Sequence, residues 1–215
     1  MEPLSRSERA ALCNTALEVG PDAPTLCGDW TVKDLVIHLV VRERDPLGAP
    51  GIAIKPLAGL TERASRRLVD HDFTALVERV RQGPPKWSPF ALSPVDAAVN
   101  GMEFLIHHED IRRASPGWTT RELGESEQKA IWRGLGGAGK MLVRPARVPV
   151  EVRWLDGPGE KERCHTLRRG KAPAIVTGQP AELALFLFGR DEHQGLEYAG
   201  PPASIDALKG SDKGL

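Results

Sequence analysis

Glu103 and His107 are the residues of this sequence whose types and spacing best suit chemistry. They lie four positions apart, so on a helix their side chains share one face, one turn apart. A carboxylate oxygen and a neutral imidazole nitrogen are ligands that zinc and other divalent first-row metals bind readily. The alternative interpretation is an ordinary surface pair at helical spacing. A metal site therefore needs a third ligand from another element.

His38 is the candidate for that third ligand. It interrupts an almost wholly apolar run from Leu35 to Val41, where an imidazole is expected to be buried and to need a partner. A core histidine satisfied by hydrogen bonds is the alternative. Three protein ligands, His38, Glu103 and His107, would leave a coordination position for water or substrate, as in catalytic zinc sites. Asp110 is then either a fourth ligand or an acceptor for an imidazole N–H.

Other polar residues near these positions have structural explanations. Helix geometry directs His108 and Glu109 away from the Glu103 face, which predicts solvent-exposed or interhelical contacts. Three arginines are candidates to hold substrate carboxylates, although each is also explained as a surface charge: Arg42, Arg112 and Arg190. The sequence leaves open whether Cys13 or Cys27 approaches the metal.

The first two-thirds of the sequence has the patterning of helices that could position these residues. Capping residues, apolar periodicity and Gly/Pro breaks predict five helices: Ser5 or Ser7 to Val19, Thr31 to before Pro46, Leu57 to Val69, Asp72 to Arg81, and Ser93 to Ala114. A sixth begins at Ser126. Its four glycines between positions 134 and 139 predict a weak or broken middle.

The patterning changes near Pro145. Alternation and turn signals predict strands and short helices over six segments: strands Val150–Leu155, Arg163–Leu167, Ala174–Val176 and Leu196–Ala199, with helices Pro180–Phe188 and Pro202–Leu208 on either side of the last strand. We therefore predict an α+β protein, with a helical bundle over residues 1–145 and a small α+β unit over residues 146–215.

Composition and charge narrow the class of protein. Lys plus Arg equals Asp plus Glu at 29 each, whereas a nucleic-acid binder normally carries a basic excess. The three cysteines include no C-x-x-C pair, and unpaired thiols fit a reducing compartment. Neither a signal peptide nor an apolar run long enough for a membrane span is present. We expect a cytoplasmic protein that binds neither nucleic acid nor membrane.

Two segments are similar to motifs of a known family. Leu26–His38 and Glu103–Arg113 resemble the two motifs of the mycothiol-dependent maleylpyruvate isomerase family, a branch of the DinB-like metal-binding bundles. The similarity extends through Val41–Arg44 and Ala49–Ile52, and is closest to an actinobacterial subgroup of uncharacterised metal-binding proteins. Val176–Arg190 resembles the sterol-carrier-like unit of the same family. The resemblance implies a DinB-like four-helix bundle with a divalent metal, zinc or alternatively nickel, on His38, Glu103 and His107.

The resemblance also implies a chemistry. The metal would bind mycothiol and favour its thiolate, which adds to an electrophilic carbon to isomerise a double bond or to transfer the thiol. The expected partners are a small-molecule thiol and an electrophilic substrate, and a homodimer is one alternative for the assembly. Two rival functions stay open: metal-assisted hydrolysis by bound water, and a metal-binding module without catalysis.

Overall fold

The computed structural model describes residues 2–88, 100–155 and 162–212. The chain divides into two compact units, Met1–Thr119 and Thr120–Leu215. The described part of the first unit is built from six helices and one short 3-10 turn, Lys55–Leu57. The helices are α1 Leu4–Val19, α2 Val32–Arg44, α3 Pro50–Ala53, α4 Ala58–Arg66, α5 Phe73–Arg81 and α6 Gly101–Arg112.

The start of α2 is the predicted capping box. Thr31 Oγ1 accepts the Asp34 backbone N–H at 3.2 Å, and Asp34 Oδ2 accepts the Thr31 backbone N–H at 2.9 Å. Together these bonds satisfy two of the N–H groups that a helix start leaves without a partner. The helix ends at Arg44, ahead of Pro46 as predicted. This cap fixes where α2 begins, and His38 lies roughly two turns further along the helix.

The start of α1 differs from the prediction. The cap is Pro3, not Ser5 or Ser7, and its carbonyl accepts the backbone N–H groups of Arg6 at 2.9 Å and Ser7 at 3.2 Å. Ser7 lies inside the helix, where its hydroxyl donates to the Leu4 carbonyl at 3.2 Å. The predicted start of the fifth helix, Ser93-Pro94, lies outside the described residues. Helix α6, Gly101–Arg112, falls within the predicted range and ends two residues before Ala114.

The first unit packs around aliphatic side chains. Helix α1 contacts α5 and α6, and α2 contacts α4 and α5. The largest fully buried side chains of its core include Leu12, Leu35, Leu39, Leu76 and Phe104. Burying each such side chain contributes about 1.5–3 kcal/mol of transfer free energy. This core holds α2 and α6, which carry the candidate ligands, in fixed positions.

The described part of the second unit combines three helices with a four-stranded sheet. In chain order its elements are α7 Glu125–Leu142, a 3-10 turn Arg144–Ala146, β1 Val150–Leu155, β2 Glu162–Arg168, β3 Ala174–Thr177, α8 Pro180–Leu187, β4 Glu197–Ala199 and α9 Pro202–Lys209. The strand order is β2-β1-β3-β4. Strand β1 pairs antiparallel with β2 and parallel with β3, and β4 pairs antiparallel with β3.

The sequence predicted a boundary between the two units after residue 145, whereas the structure places it after Thr119. Helix α7 is the element that lies between these two positions. It packs on α8 and β2, so its contacts group it with the sheet. It is also continuous, despite the expected weak middle. A Cβ at Gly136 would lie 2.8 Å from the His165 ring, and one at Gly139 would lie 2.9 Å from Leu167. The glycines therefore let the helix approach β2 closely. No helix in the described part of the chain has the length and apolarity to span a membrane.

Candidate metal centre

Helices α2 and α6 bring the three predicted ligands together. Glu103 Oε1 lies 3.4 Å from His38 Nε2 and 3.4 Å from His107 Nε2. One donor atom from each of the three residues falls within 4.8 Å of the others. The exposed fraction of the side chain is 12% for His38, 20% for Glu103 and 12% for His107. The donors are thus mostly buried but still reach the surface.

This donor set fits a divalent ion in type and spacing. Adjacent nitrogen and oxygen ligands of a tetrahedral zinc ion, bound at about 2.0–2.1 Å, are about 3.3 Å apart. Both nitrogen–oxygen distances in the cluster are 3.4 Å. Two imidazoles and one carboxylate are a ligand set that catalytic zinc sites use. The residues present could therefore hold the ion without large rearrangement.

Arg42 fixes the carboxylate of Glu103. Its Nε lies 3.2 Å from Glu103 Oε1, and its Nη1 donates to Asn100 Oδ1 at 2.6 Å. Burial alone would raise the pKa of Glu103, but hydrogen bonds from His107 and His38 and the charge of Arg42 outweigh it. The pKa of Glu103 lies well below its usual range. Arg42 is itself buried, so its interpretation as a surface charge is wrong.

Asp110 and Cys27 hold the other ring nitrogen of His107. Asp110 Oδ2 lies 2.9 Å from His107 Nδ1 and accepts the Cys27 thiol at 3.0 Å. Burial alone would lower the pKa of His107, but the hydrogen bonds to Asp110, Cys27 and Glu103 hold it well above its usual range. A proton on Nδ1 shared with Asp110 leaves Nε2 directed at Glu103. Asp110 therefore lies where it acts as the acceptor rather than as a fourth ligand beside Nε2.

Two residues that precede α2 also lie at the site: Cys27, whose approach the sequence left open, and Trp30, which the sequence did not indicate as a site residue. Cys27 Sγ is 3.8 Å from His107 Nδ1, and Cys27, His107 and Asp110 form a second group of donor atoms within 4.8 Å of one another. The Trp30 ring centroid lies 5.2 Å from that of the His38 ring, so Trp30 is part of the surroundings of the site. Burial lowers the pKa of His38. The sequence did contain a signal for both residues, because they lie in the family-like segment Leu26–His38, just before α2 begins.

Several other candidates are engaged elsewhere. The Cys13 thiol is buried and donates to the Val77 carbonyl, while Arg190 Nη1, in the second unit, donates to the Phe188 carbonyl at 2.7 Å. Arg112 Nη1 donates to both carboxylate oxygens of Glu109 at 3.0 and 3.1 Å. None of these contacts directs the side chain to the three donors.

His108 and Glu109 make interhelical and local contacts rather than solvent contacts. His108 Nδ1 lies 2.9 Å from Glu8 Oε2, and its Nε2 lies 3.0 Å from Thr15 Oγ1, both on α1. Glu109 accepts the Arg113 Nε–H at 2.6 Å. Both residues are buried, so the interhelical alternative is confirmed for His108 and exposure to solvent is wrong for both.

Comparison with known proteins decides the family. The family model of the mycothiol maleylpyruvate isomerase N-terminal domain matches residues 4–112. The chain belongs to this family. The matched residues contain all of the first-unit helices in the described part of the chain, and all three candidate ligands.

The structural comparison extends the similarity of fold beyond the family domain. The crystal structure of the mycothiol-dependent maleylpyruvate isomerase is similar with a TM-score of 0.52 and 16% sequence identity. The similarity covers 91% of this chain and 90% of that chain. No curated protein matches the sequence. The described mixture of helices and a four-stranded sheet is therefore similar to the maleylpyruvate isomerase fold.

Proposed function

We propose that this protein is a divalent-metal-dependent enzyme that uses mycothiol as its thiol, as an isomerase or as an S-transferase. The observation that carries the proposal is that the Nε2 atoms of His38 and His107 both lie beside one carboxylate oxygen of Glu103. The chain that carries this cluster belongs to the mycothiol maleylpyruvate isomerase family. We further propose zinc as the metal, a DinB-like four-helix bundle as the arrangement of the first unit, a sterol-carrier-like second unit and a cytoplasmic location.

The chain's own residues have distinct roles in this proposal. Glu103 Oε1 and the Nε2 atoms of His38 and His107 are the donors, and Asp110 keeps the Nδ1 proton of His107 away from them. Arg42 prevents Glu103 from rotating, because it holds the carboxylate and Asn100 at once. When bound, a divalent ion supplies Lewis-acid activation that lowers the pKa of a coordinated thiol, so that thiolate is available at neutral pH.

The two reactions differ in the fate of the thiol. In an isomerase the thiol sulfur forms a C–S bond to an activated double bond, and after rotation the same bond breaks, so the thiol is regenerated. In a transferase the sulfur forms the C–S bond while a leaving group departs with its electron pair, or a proton adds at the neighbouring carbon. The thiol is then consumed. Thiol balance over a complete reaction therefore separates the two.

The first experiment is elemental analysis of the full chain purified without chelator or immobilised metal. We expect about one equivalent of metal in the wild type, and loss of that metal in His38→Ala, Glu103→Ala and His107→Ala. His71→Ala, a substitution in the loop after α4, is the matched histidine control and should retain the metal. A wild type that holds no metal, and gains none with zinc or nickel, would contradict the proposal.

The second experiment is turnover of activated unsaturated acids with and without mycothiol. We expect turnover only with metal and mycothiol together, and none in Glu103→Ala. Turnover that needs metal but no thiol would instead indicate metal-assisted hydrolysis. Metal that raises stability while no tested electrophile reacts would favour the non-catalytic module.

A further inference from the structure

A cavity whose lining includes none of the three donors lies where α2, α4 and α5 meet. Its volume is about 260 Å³. Three arginines from the ends of these helices line it: Arg44, Arg67 and Arg79. We call it the arginine cavity. None of His38, Glu103 and His107 is among its lining residues.

The guanidinium groups of the arginine cavity have unused hydrogen-bond donors. Arg44 donates Nη2 to the Gly83 carbonyl at 2.7 Å, but its buried Nε has no partner. Arg67 and Arg79 make no side-chain hydrogen bond or ion pair with any residue in the described part of the chain. The Arg44 Nε is closed off from solvent, so the accessible donors without a partner among the described residues belong to the exposed Arg67 and the half-buried Arg79. The cavity therefore offers several donors to one ligand.

The charge of the cavity is not balanced locally. Three arginines contribute three positive charges, and the lining has one acidic residue, Asp45. Asp45 Oδ1 already accepts the backbone N–H groups of Leu47 at 3.0 Å and Gly48 at 2.8 Å. The difference, three minus one, is a charge of plus two around one cavity, in a chain with formal net charge zero. A ligand with two negative charges would compensate it.

Helix dipoles give a simpler explanation for part of this arrangement. Arg44 lies in the last turn of α2, Arg79 lies in the last turn of α5, and Arg67 caps α4, where cations are favoured. The dipoles explain why arginines occur at these ends. They do not explain why three of them line one cavity.

We propose that the arginine cavity binds a phosphate monoester with a short aliphatic body. A phosphate monoester carries close to two negative charges at neutral pH, and guanidinium forks bind phosphate oxygens in pairs. The other lining residues include Val40, Val41 and Leu68, which supply an apolar surface for the body of the ligand. This site is independent of the metal centre and of the proposed function.

The test is calorimetric titration of the full chain with butyl phosphate, inorganic phosphate and pentanoate. We expect saturable one-to-one binding that is tightest for butyl phosphate. Arg67→Gln and Arg79→Gln should each weaken it by roughly tenfold, because each removes a charge-assisted hydrogen bond. Arg81→Gln is the matched control, because Arg81 is on the same helix but is bonded to Asn14 and lies outside the cavity lining. It should leave the affinity unchanged.

Two further measurements keep the test decisive. The melting temperature and metal content of Arg79→Gln should equal those of the wild type, which separates loss of the cavity from loss of the fold or of the metal centre. Absence of saturable binding to the wild type would overturn the proposal, as would equal weakening by Arg81→Gln. Equal affinity for pentanoate and butyl phosphate would overturn the assignment of phosphate.

Discussion

Helix α6 has two polar faces that use the same kinds of residue in different ways. On one face, His107 divides its ring nitrogens between Asp110 and Glu103. On the other face, His108 is held between Glu8 and Thr15 of α1. Both histidines lie within the same helical turn, and both have a carboxylate at hydrogen-bond distance. Only the His107 face adds a second imidazole, His38, next to its carboxylate.

The comparison teaches that the set of partners, not burial, distinguishes a candidate metal ligand from a structural histidine. The nitrogens of His108 contact one carboxylate and one hydroxyl, and those partners satisfy it within the protein. The Nε2 atoms of His107 and His38 instead face the same oxygen, which is an arrangement that a cation can complete. The following tests act on one face at a time.

The largest expected effect is on stability, from His108→Ala. The substitution leaves the buried carboxylate of Glu8 without its imidazole, and breaking a buried pair costs about 3–5 kcal/mol. We expect a lower melting temperature with the metal content unchanged below that temperature. The double variant Glu8→Leu/His108→Leu should recover most of the loss, since it removes both polar groups. Loss of metal from the folded single variant would show that the two faces are not independent.

Metal removal should affect only the His107 face. A metal ion that binds only the native state, at a free concentration of about 100 times its Kd, stabilises that state by about 2.7 kcal/mol. Amide hydrogen exchange of α6 should therefore be faster with a chelator than with zinc in the wild type. Glu103→Gln is the control, because it should exchange at the same rate in both conditions. A chelator effect of equal size in Glu103→Gln would place the metal elsewhere.

The next largest effect is on metal affinity, and it comes from Asp110, the partner of His107 Nδ1. Asp110→Asn keeps the size of the side chain but replaces a charged acceptor of the Nδ1 proton. Such outer hydrogen bonds typically change metal affinity by about 10- to 100-fold, which corresponds to about 1.4–2.8 kcal/mol. Competition with a chelating dye measures this affinity. Asp34→Asn, in the exposed capping box, is the control and should leave the metal affinity unchanged. An equal loss of affinity in Asp34→Asn would contradict a specific role for Asp110.

The smallest effect is a pH dependence that arises from Cys13 of α1, outside both polar faces of α6. Burial raises the pKa of the Cys13 thiol to about 11 from 9.0. The unfolded chain therefore releases this proton first, so stability is full below pH 9 and falls as the pH rises toward 11. Between pH 9 and pH 10 the loss is about 1 kcal/mol. Urea unfolding at both values should show this difference in the wild type and not in Cys13→Ala. An equal slope in Cys13→Ala would assign the loss to other groups.

Local patterns predicted the elements of this protein well. The Thr31–Asp34 capping box and the Asp72 cap are both present, with Asp72 Oδ1 accepting the Ala75 backbone N–H at 2.8 Å. Strand and helix bounds in the second unit agree with the predictions to within about one residue. The four-helix arrangement of the first unit and the metal role of the three donors stay predictions. The sequence had already grouped His38, Glu103 and His107, and the structure places one donor atom of each within 4.8 Å of the others.

Side-chain contacts between different helices could not be predicted from the sequence. An arginine in a helix is usually a surface residue, and only the packing shows that Arg42 is buried beside Glu103 and Asn100. Cys27 was left open, and it contacts Asp110 because the loop before α2 lies against α6, with the Leu26 N–H donating to the Asp110 carbonyl at 3.0 Å. The arginine cavity likewise combines three helix ends that are distant in sequence.

The sequence by itself determined where helices and strands form and which face of α6 carries Glu103 and His107. These features depend on hydrogen bonds and periodicity within one or two turns, which neighbouring residues fix. Only the tertiary structure decided that His38 Nε2 meets Glu103 and that Asp110 takes Nδ1 of His107. It also decided that α7 packs with the sheet. Those outcomes depend on how side chains far apart in the sequence pack together, and no local pattern encodes that packing.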